Sequence, residues 1–139
     1  MPLLHFYHSK DVLDQDDKQN IATAFTQLYG AMLPKFYVNV LFHDISPNNF
    51  YIGGEPLNDF VRLSIDHIAR SFDSDENRQL FLDACHRILA PYIEKKKLRW
   101  ELHVDETPFE LWTIQGLRPP LPNSVAEQKW RQENRATPY

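Results

Sequence analysis

Val61-Arg62-Leu63-Ser64-Ile65-Asp66 is the stretch on which the reading of this chain turns. Apolar and polar residues alternate there, the period of a strand with one buried face. Working outward, Ser74, Asp75 and Glu76 open a helix, since a serine caps the first turn and acids favour the positive end of the dipole. Phe81, Ala84, Cys85, Ile88 and Tyr92 follow at helical spacing as its apolar stripe. Leu98, Trp100, Leu102 and Val104 then alternate with Arg99, Glu101 and His103, which predicts a second strand. Strand, helix and strand in succession predict a parallel pair joined by a right-handed crossover.

The first half has the same grammar. Leu3 to His8 reads as a strand. Asp14 and Asp16-Asp17 favour a helix start, and Ile21, Ala24, Phe25, Leu28 and Met32 form an apolar stripe that Pro34 ends. Val38, Val40 and Phe42 alternate with Asn39 and Leu41 in a strand expected from Tyr37 to Ile45. The helices superpose at an offset of 60, which lays Lys18-Gln19 on Arg78-Gln79, Ile21 on Phe81, Ala24 on Ala84, Phe25 on Cys85 and Leu28 on Ile88. The strands fit at 59, with Leu4 and Phe6 over Leu63 and Ile65. A repeat of this length points to a duplicated supersecondary unit.

Two β-α-β units side by side give an α/β, two-layer fold: a four-stranded sheet with two helices on one face. The opposite face, with Leu3 and Leu41, has no helix to cover it and predicts an oligomer. Asn48-Asn49 and Gly53-Gly54 bracket Phe50-Tyr51-Ile52 and predict a small β-hairpin between the halves. The expected organisation is a domain over 1–116, from repeats of about 1–60 and 61–116. A Pro-rich tail over 117–139 is then expected to pack on the body or on a neighbouring subunit, with Trp130 as its large apolar anchor and its last few residues loose.

Composition narrows the function classes. The chain's 139 residues fit one domain and allow a real core. Net charge is −4 with mixed signs, which leaves no electrostatic footprint for nucleic acid. No stretch approaches the roughly 20 apolar residues of a membrane span. A single cysteine, Cys85, excludes an internal disulfide. Met-Pro-Leu-Leu-His lacks the basic start and apolar run of a secretory leader, so a cytoplasmic location is expected.

The familiar catalytic motifs are missing: there is no Gly-rich phosphate loop, metalloprotease helix or cysteine-pair zinc site. His5 and His8, three apart on a strand, point to opposite faces, and neither metal nor cofactor is expected. Cys85, on the apolar stripe, reads as a buried inert thiol, and His86 beside it as a surface residue. Pro2 is different. Initiator methionine is normally trimmed before proline, leaving a secondary amine at the start of a strand. An α-amino group titrates near ~8, and an apolar pocket lowers that value. The neutral amine is a general base and its cation a general acid. The plainer reading is that Pro2 only starts a strand.

Met-Pro before a strand, the paired β-α-β units, Phe50-Tyr51-Ile52-Gly53-Gly54, the segment from His67 to Arg70-Ser71, and Glu106-Thr107-Pro108 together resemble the tautomerase superfamily. The nearest branch is that of cis-3-chloroacrylic acid dehalogenase, and the likeness runs from Pro2 to about Gly116. It implies a homotrimer packed through the open sheet faces. It also implies an amino-terminal proline acting on small keto-enol acids or acrylates. Arg70 matches one of the family's two carboxylate-binding arginines, as suits a guanidinium that binds carboxylates bidentately. The other falls on His67. The family's first-helix histidine falls on Tyr29 and its last-strand tyrosine on His103. Its water-activating glutamate falls on Ile114, with Gln115 alongside.

The resemblance therefore gives Pro2, Tyr29 and His103 as catalytic candidates, and Arg70, His67 and Gln115 as substrate-binding candidates. Plainer readings stand beside them: a packing tyrosine, an interface His103, a strand-end His67 and a surface salt bridge for Arg70. Isoleucine cannot take a proton from water, so tautomerisation of a small carboxylated keto-enol substrate, which needs no activated water, is the leading expectation. A hydratase or dehalogenase using Glu106 or Glu110, and a non-catalytic trimeric binding protein, are the alternatives.

Overall fold

The computed structural model describes residues 1–139. Four strands, β1 (Leu3–Ser9), β2 (Asn39–Ile45), β5 (Phe60–His67) and β6 (Arg99–Glu106), form one sheet in the order β2-β1-β5-β6. β1 and β2 are parallel and flank α1 (Gln15–Gly30); β5 and β6 are parallel and flank α2 (Asp75–Ile93). The halves join through antiparallel β1 and β5. A two-stranded hairpin, β3 (Tyr51–Ile52) and β4 (Glu55–Pro56), lies between them. Gly53 and Gly54 make its turn at positive φ, where a side chain would be strained. No helix is long and apolar enough to cross a membrane.

Capping fixes where the helices begin. The Asp14 carboxylate accepts from the Asp17 N–H at 2.8 Å and the Asp17 carboxylate from the Asp14 N–H at 3.1 Å, a reciprocal box. Ser74 caps α2 by accepting from the Asn77 N–H at 3.1 Å. The core lies between the sheet and both helices, where Leu4 and Phe6 of β1 and Val61, Leu63 and Ile65 of β5 are buried. Leu3, His5 and Tyr7 face the other way and are half-buried, while Leu41 is 43% exposed.

Several expectations shift in detail. β2 begins at Asn39, because Lys35–Tyr37 form a 3-10 turn and Tyr37 turns into the core. α1 ends at Gly30, ahead of Pro34, and Met32 lies outside it at 45% exposure. The deeply buried side chains of α1 are Ile21, Phe25 and Tyr29, and those of α2 are Phe81, Cys85, Leu89 and Ile93. Each stripe thus runs along one straight i, i+4 row, displacing Leu28, Ile88 and Tyr92 to its flank.

The tail carries a third helix, α3 (Val125–Glu133). Ser124 caps it by accepting from the Glu127 N–H at 3.2 Å. Trp130 is fully buried against Phe36 and Tyr37, and Arg131 donates to the Gly30 and Ala31 carbonyls at 2.7 and 3.1 Å, at the end of α1. That last contact answers orphan carbonyls at a helix C-terminus.

Candidate active site

The start of β1 and the end of β5 meet at one end of the sheet. Leu3 pairs with Asp66 in the antiparallel register, so the next step sets Pro2 across from His67. Pro2 is buried, and its carbonyl accepts from the Asn39 N–H at 3.0 Å. Burial lowers the chain-start amine, carried by Met1, to about 4. Burial of this kind disfavours the charged form of an amine.

His67 is 2% exposed. Its Nδ1 shares a 2.9 Å hydrogen bond with the Tyr29 hydroxyl, which α1 delivers from its buried row. Phe72 stacks on the imidazole with centroids 4.3 Å apart, and Phe81 meets its edge at 5.4 Å. Burial pulls the His67 pKa down to about 4, assisted by the chain-start amine and opposed by the Glu106 carboxylate, its β6 neighbour in register. Burial likewise raises Tyr29 far above the ordinary phenol value. The two thus form a neutral hydrogen-bonded pair at pH 7.

Beyond Glu106 lies a cavity of about 580 Å³ between Ala69–Ser71 and Glu106–Glu110, closed on one side by Leu121 and Pro122. Ala69 sits at φ +77°, a strained conformation for a residue with a Cβ. It turns the chain sharply after β5 and places Arg70 against the tail. The Arg70 Nη1 and Nη2 groups donate to Glu127 Oε1 and Oε2 at 3.1 and 3.0 Å. They also donate to the Ala69 and Met32 carbonyls at 2.7 and 3.0 Å. The guanidinium expected to bind a substrate carboxylate is thus held bidentately by a carboxylate of its own chain, the ion-pair alternative that the sequence also offered for Arg70.

Two other candidates fall outside this cluster. His103 pairs in register with Ser64, and its Nε2 lies 3.2 Å from the Ser64 hydroxyl. Leu63 and Ile65 bracket Ser64 on the helix side, so strand alternation puts His103 on the open face, away from Tyr29 and His67. Gln115 is exposed at φ +52° in a turn closed by hydrogen bonds between Ile114 and Leu117, and no hydrogen bond joins it to Tyr29, His67 or Arg70. Ile114 itself packs in the core. Cys85 is fully buried, which pushes its thiol up to about 12 and keeps it protonated.

Glu127 is the residue that sequence reasoning missed. The signal was present: Ser124-Val125-Ala126-Glu127 has the serine-to-glutamate spacing of a helix start, followed by Trp130.

The family model described as "Putative oxalocrotonate tautomerase enzyme" matches residues 1–135. The chain belongs to this tautomerase family. Among solved structures, RhCC from Rhodococcus jostii RHA1 is 41% identical, with 99% of each chain covered and a TM-score of 0.94. A protein described as "a probable enzyme" from the thermophilic fungus Aspergillus fumigatus is 41% identical over 100% of this chain and 98% of its own, with a TM-score of 0.95. N1, a member of the cis-3-chloroacrylic acid dehalogenase family, shares the fold at 20% identity over 95% and 97% of the chains, with a TM-score of 0.71. Fused 4-OT, solved as a trimer, shares it at 15% identity over 84% and 94%, with a TM-score of 0.65. No curated protein matches the chain. The tautomerase β-α-β fold expected from the sequence is therefore the one this protein has.

Proposed function

We propose that the protein is a tautomerase in which Pro2, freed by removal of Met1, shuttles a proton between the oxygen and carbon of a small keto-enol substrate. The observation that carries this reading is the buried Pro2 at the chain start, set by strand register across from His67. A neutral secondary amine there accepts the enol O–H proton. The resulting cation returns it to the substrate carbon, so the product is an isomer and Pro2 ends neutral again.

Tyr29 keeps its proton and donates it to His67 Nδ1, which puts the ring proton of His67 on Nε2. That N–H can donate to the substrate oxygen as negative charge gathers on it. The residues recruited are Pro2, His67 and Tyr29. His103 and Gln115 take no part, and Arg70 acts through its pair with Glu127. The homotrimer implied by the resemblance is supported by the open sheet face and by the trimer of fused 4-OT.

The test is ketonisation of phenylenolpyruvate and of its methyl ester by protein whose trimmed N-terminus is verified by mass, beside Pro2→Ala. The expected result is loss of at least one substrate's rate by about a hundredfold or more in the variant, with an unchanged melting curve. Equal rates in both proteins on both substrates would sink the reading.

A further inference from the structure

We propose that Glu127 sets the substrate's charge: by neutralising Arg70 from within the chain, it fits the cavity to uncharged keto-enol compounds in preference to carboxylates. The inference rests on the tautomerase reading and places the substrate in the cavity that Glu106, the register neighbour of His67, lines together with Arg70.

A guanidinium has five N–H donors. Arg70 uses four interactions on Ala69, Met32 and both oxygens of Glu127, and presents no free two-pronged edge to a ligand. Glu127 is equally committed. It is 5% exposed, and its Oε2 also accepts from the Asn123 N–H at 2.7 Å. Withdrawing it means moving α3, which Trp130 and Arg131 anchor to the body and Asn134 ties to the Phe36 N–H at 3.0 Å. A substrate carboxylate would have to displace a fixed intramolecular one.

The rest of the cavity adds to the bias. Arg70 is its one basic lining residue, whereas Glu106 and Glu110 both line it. With Arg70 neutralised by Glu127, these two carboxylates leave a negative field. An anionic substrate meets like charge with no unpaired cation to offset it. A neutral carbonyl meets no such penalty, and the hydroxyls of Ser71 and Thr107, also on the wall, are donors suited to it.

The experiment compares phenylenolpyruvate with its methyl ester on the trimmed protein and on Glu127→Gln, which keeps the side-chain shape but releases the Arg70 charge. The expected result is a kcat/KM ratio favouring the ester by about tenfold or more in the native protein, moving toward the acid by at least as much in the variant. A native protein that prefers the acid would overturn the proposal, because Glu127 would then be yielding to substrate. So would a ratio that Glu127→Gln leaves in place.

The native ratio needs no variant, so a variant that fails to fold still leaves a decision. If neither compound shows a Pro2-dependent rate, the tautomerase reading fails separately. Binding of 3-phenylpropionate and its methyl ester, followed by tryptophan fluorescence, then decides the charge question. The expected result is tighter ester binding by the native protein. Tighter acid binding would overturn it.

Discussion

The two ends of the sheet are near-copies that differ in what surrounds a shared buried histidine. The strand offset of 59 that aligns Leu4 with Leu63 also lays His8 on His67. Both imidazoles are buried, both are lowered by burial, and each stands in register beside an acid: Asp44 for His8, Glu106 for His67. The differences lie in what surrounds this shared frame. At the helix offset of 60, Tyr29 falls on Leu89, which is fully buried and carries no polar atom. His67 therefore has a hydroxyl partner. His8 turns its Nδ1 to the neighbouring Ser9 carbonyl at 3.0 Å, and its Nε2 is buried without a hydrogen bond. Across from His67 lies Pro2 at the chain start; across from His8 lies Val61, an interior residue whose nitrogen is an amide. Duplication repeats the scaffold, but a fused chain has one amino terminus, so only one end can hold a basic secondary amine.

Mutating the matched histidines separates the two ends most sharply. His67→Gln should lower kcat/KM by about a hundredfold, the scale for losing one donor to a developing oxyanion. His8→Gln should leave the rate per folded molecule unchanged. Equal losses at both ends would mean that the imidazoles matter only for folding. A smaller effect is expected of their partners. Tyr29→Phe removes the donor to a buried nitrogen and should destabilise the fold by about 1–3 kcal/mol. Leu89→Met, at the equivalent place, should cost less than about 1.5 kcal/mol. Urea midpoints with an unchanged m-value would report both.

The smallest effect concerns pH. The folded pKa of His67, about 4, lies below its ordinary 6.5, so the unfolded chain takes up a proton first as pH falls. Stability should be full above about 6.5 and decline toward about 4, where both states are protonated. His8 contributes with the same sign. His67→Gln should therefore flatten this slope without abolishing it. An unchanged slope would show that His67 titrates normally.

Most of the fold was legible because strand alternation and helix stripes are local patterns. The shifts came along the helix stripes, where Leu28 and Met32 were expected inward and Tyr29, offered as a packing residue or a site residue, fills the buried row instead. The site was less legible for a different reason. Pro2 and His67 meet through strand pairing, and Arg70 and Glu127 are separated by 57 residues. Residue type suggested Arg70 as a carboxylate binder, and that chemistry is present, but the carboxylate comes from α3. His103 shows a further limit: its strand was expected, while the face it takes is set by register with Ser64.

In the proposed reaction the chain-start amine of Pro2 is the catalyst. The most direct measurement compares two mass-verified forms of the protein that differ only in whether Met1 is retained, using the neutral enol ester. Retention turns the Pro2 nitrogen into an amide, which is not basic. Turnover is expected from the trimmed form and none above background from the form bearing Met1. Equal turnover by both would leave the fold without its proposed acid–base group.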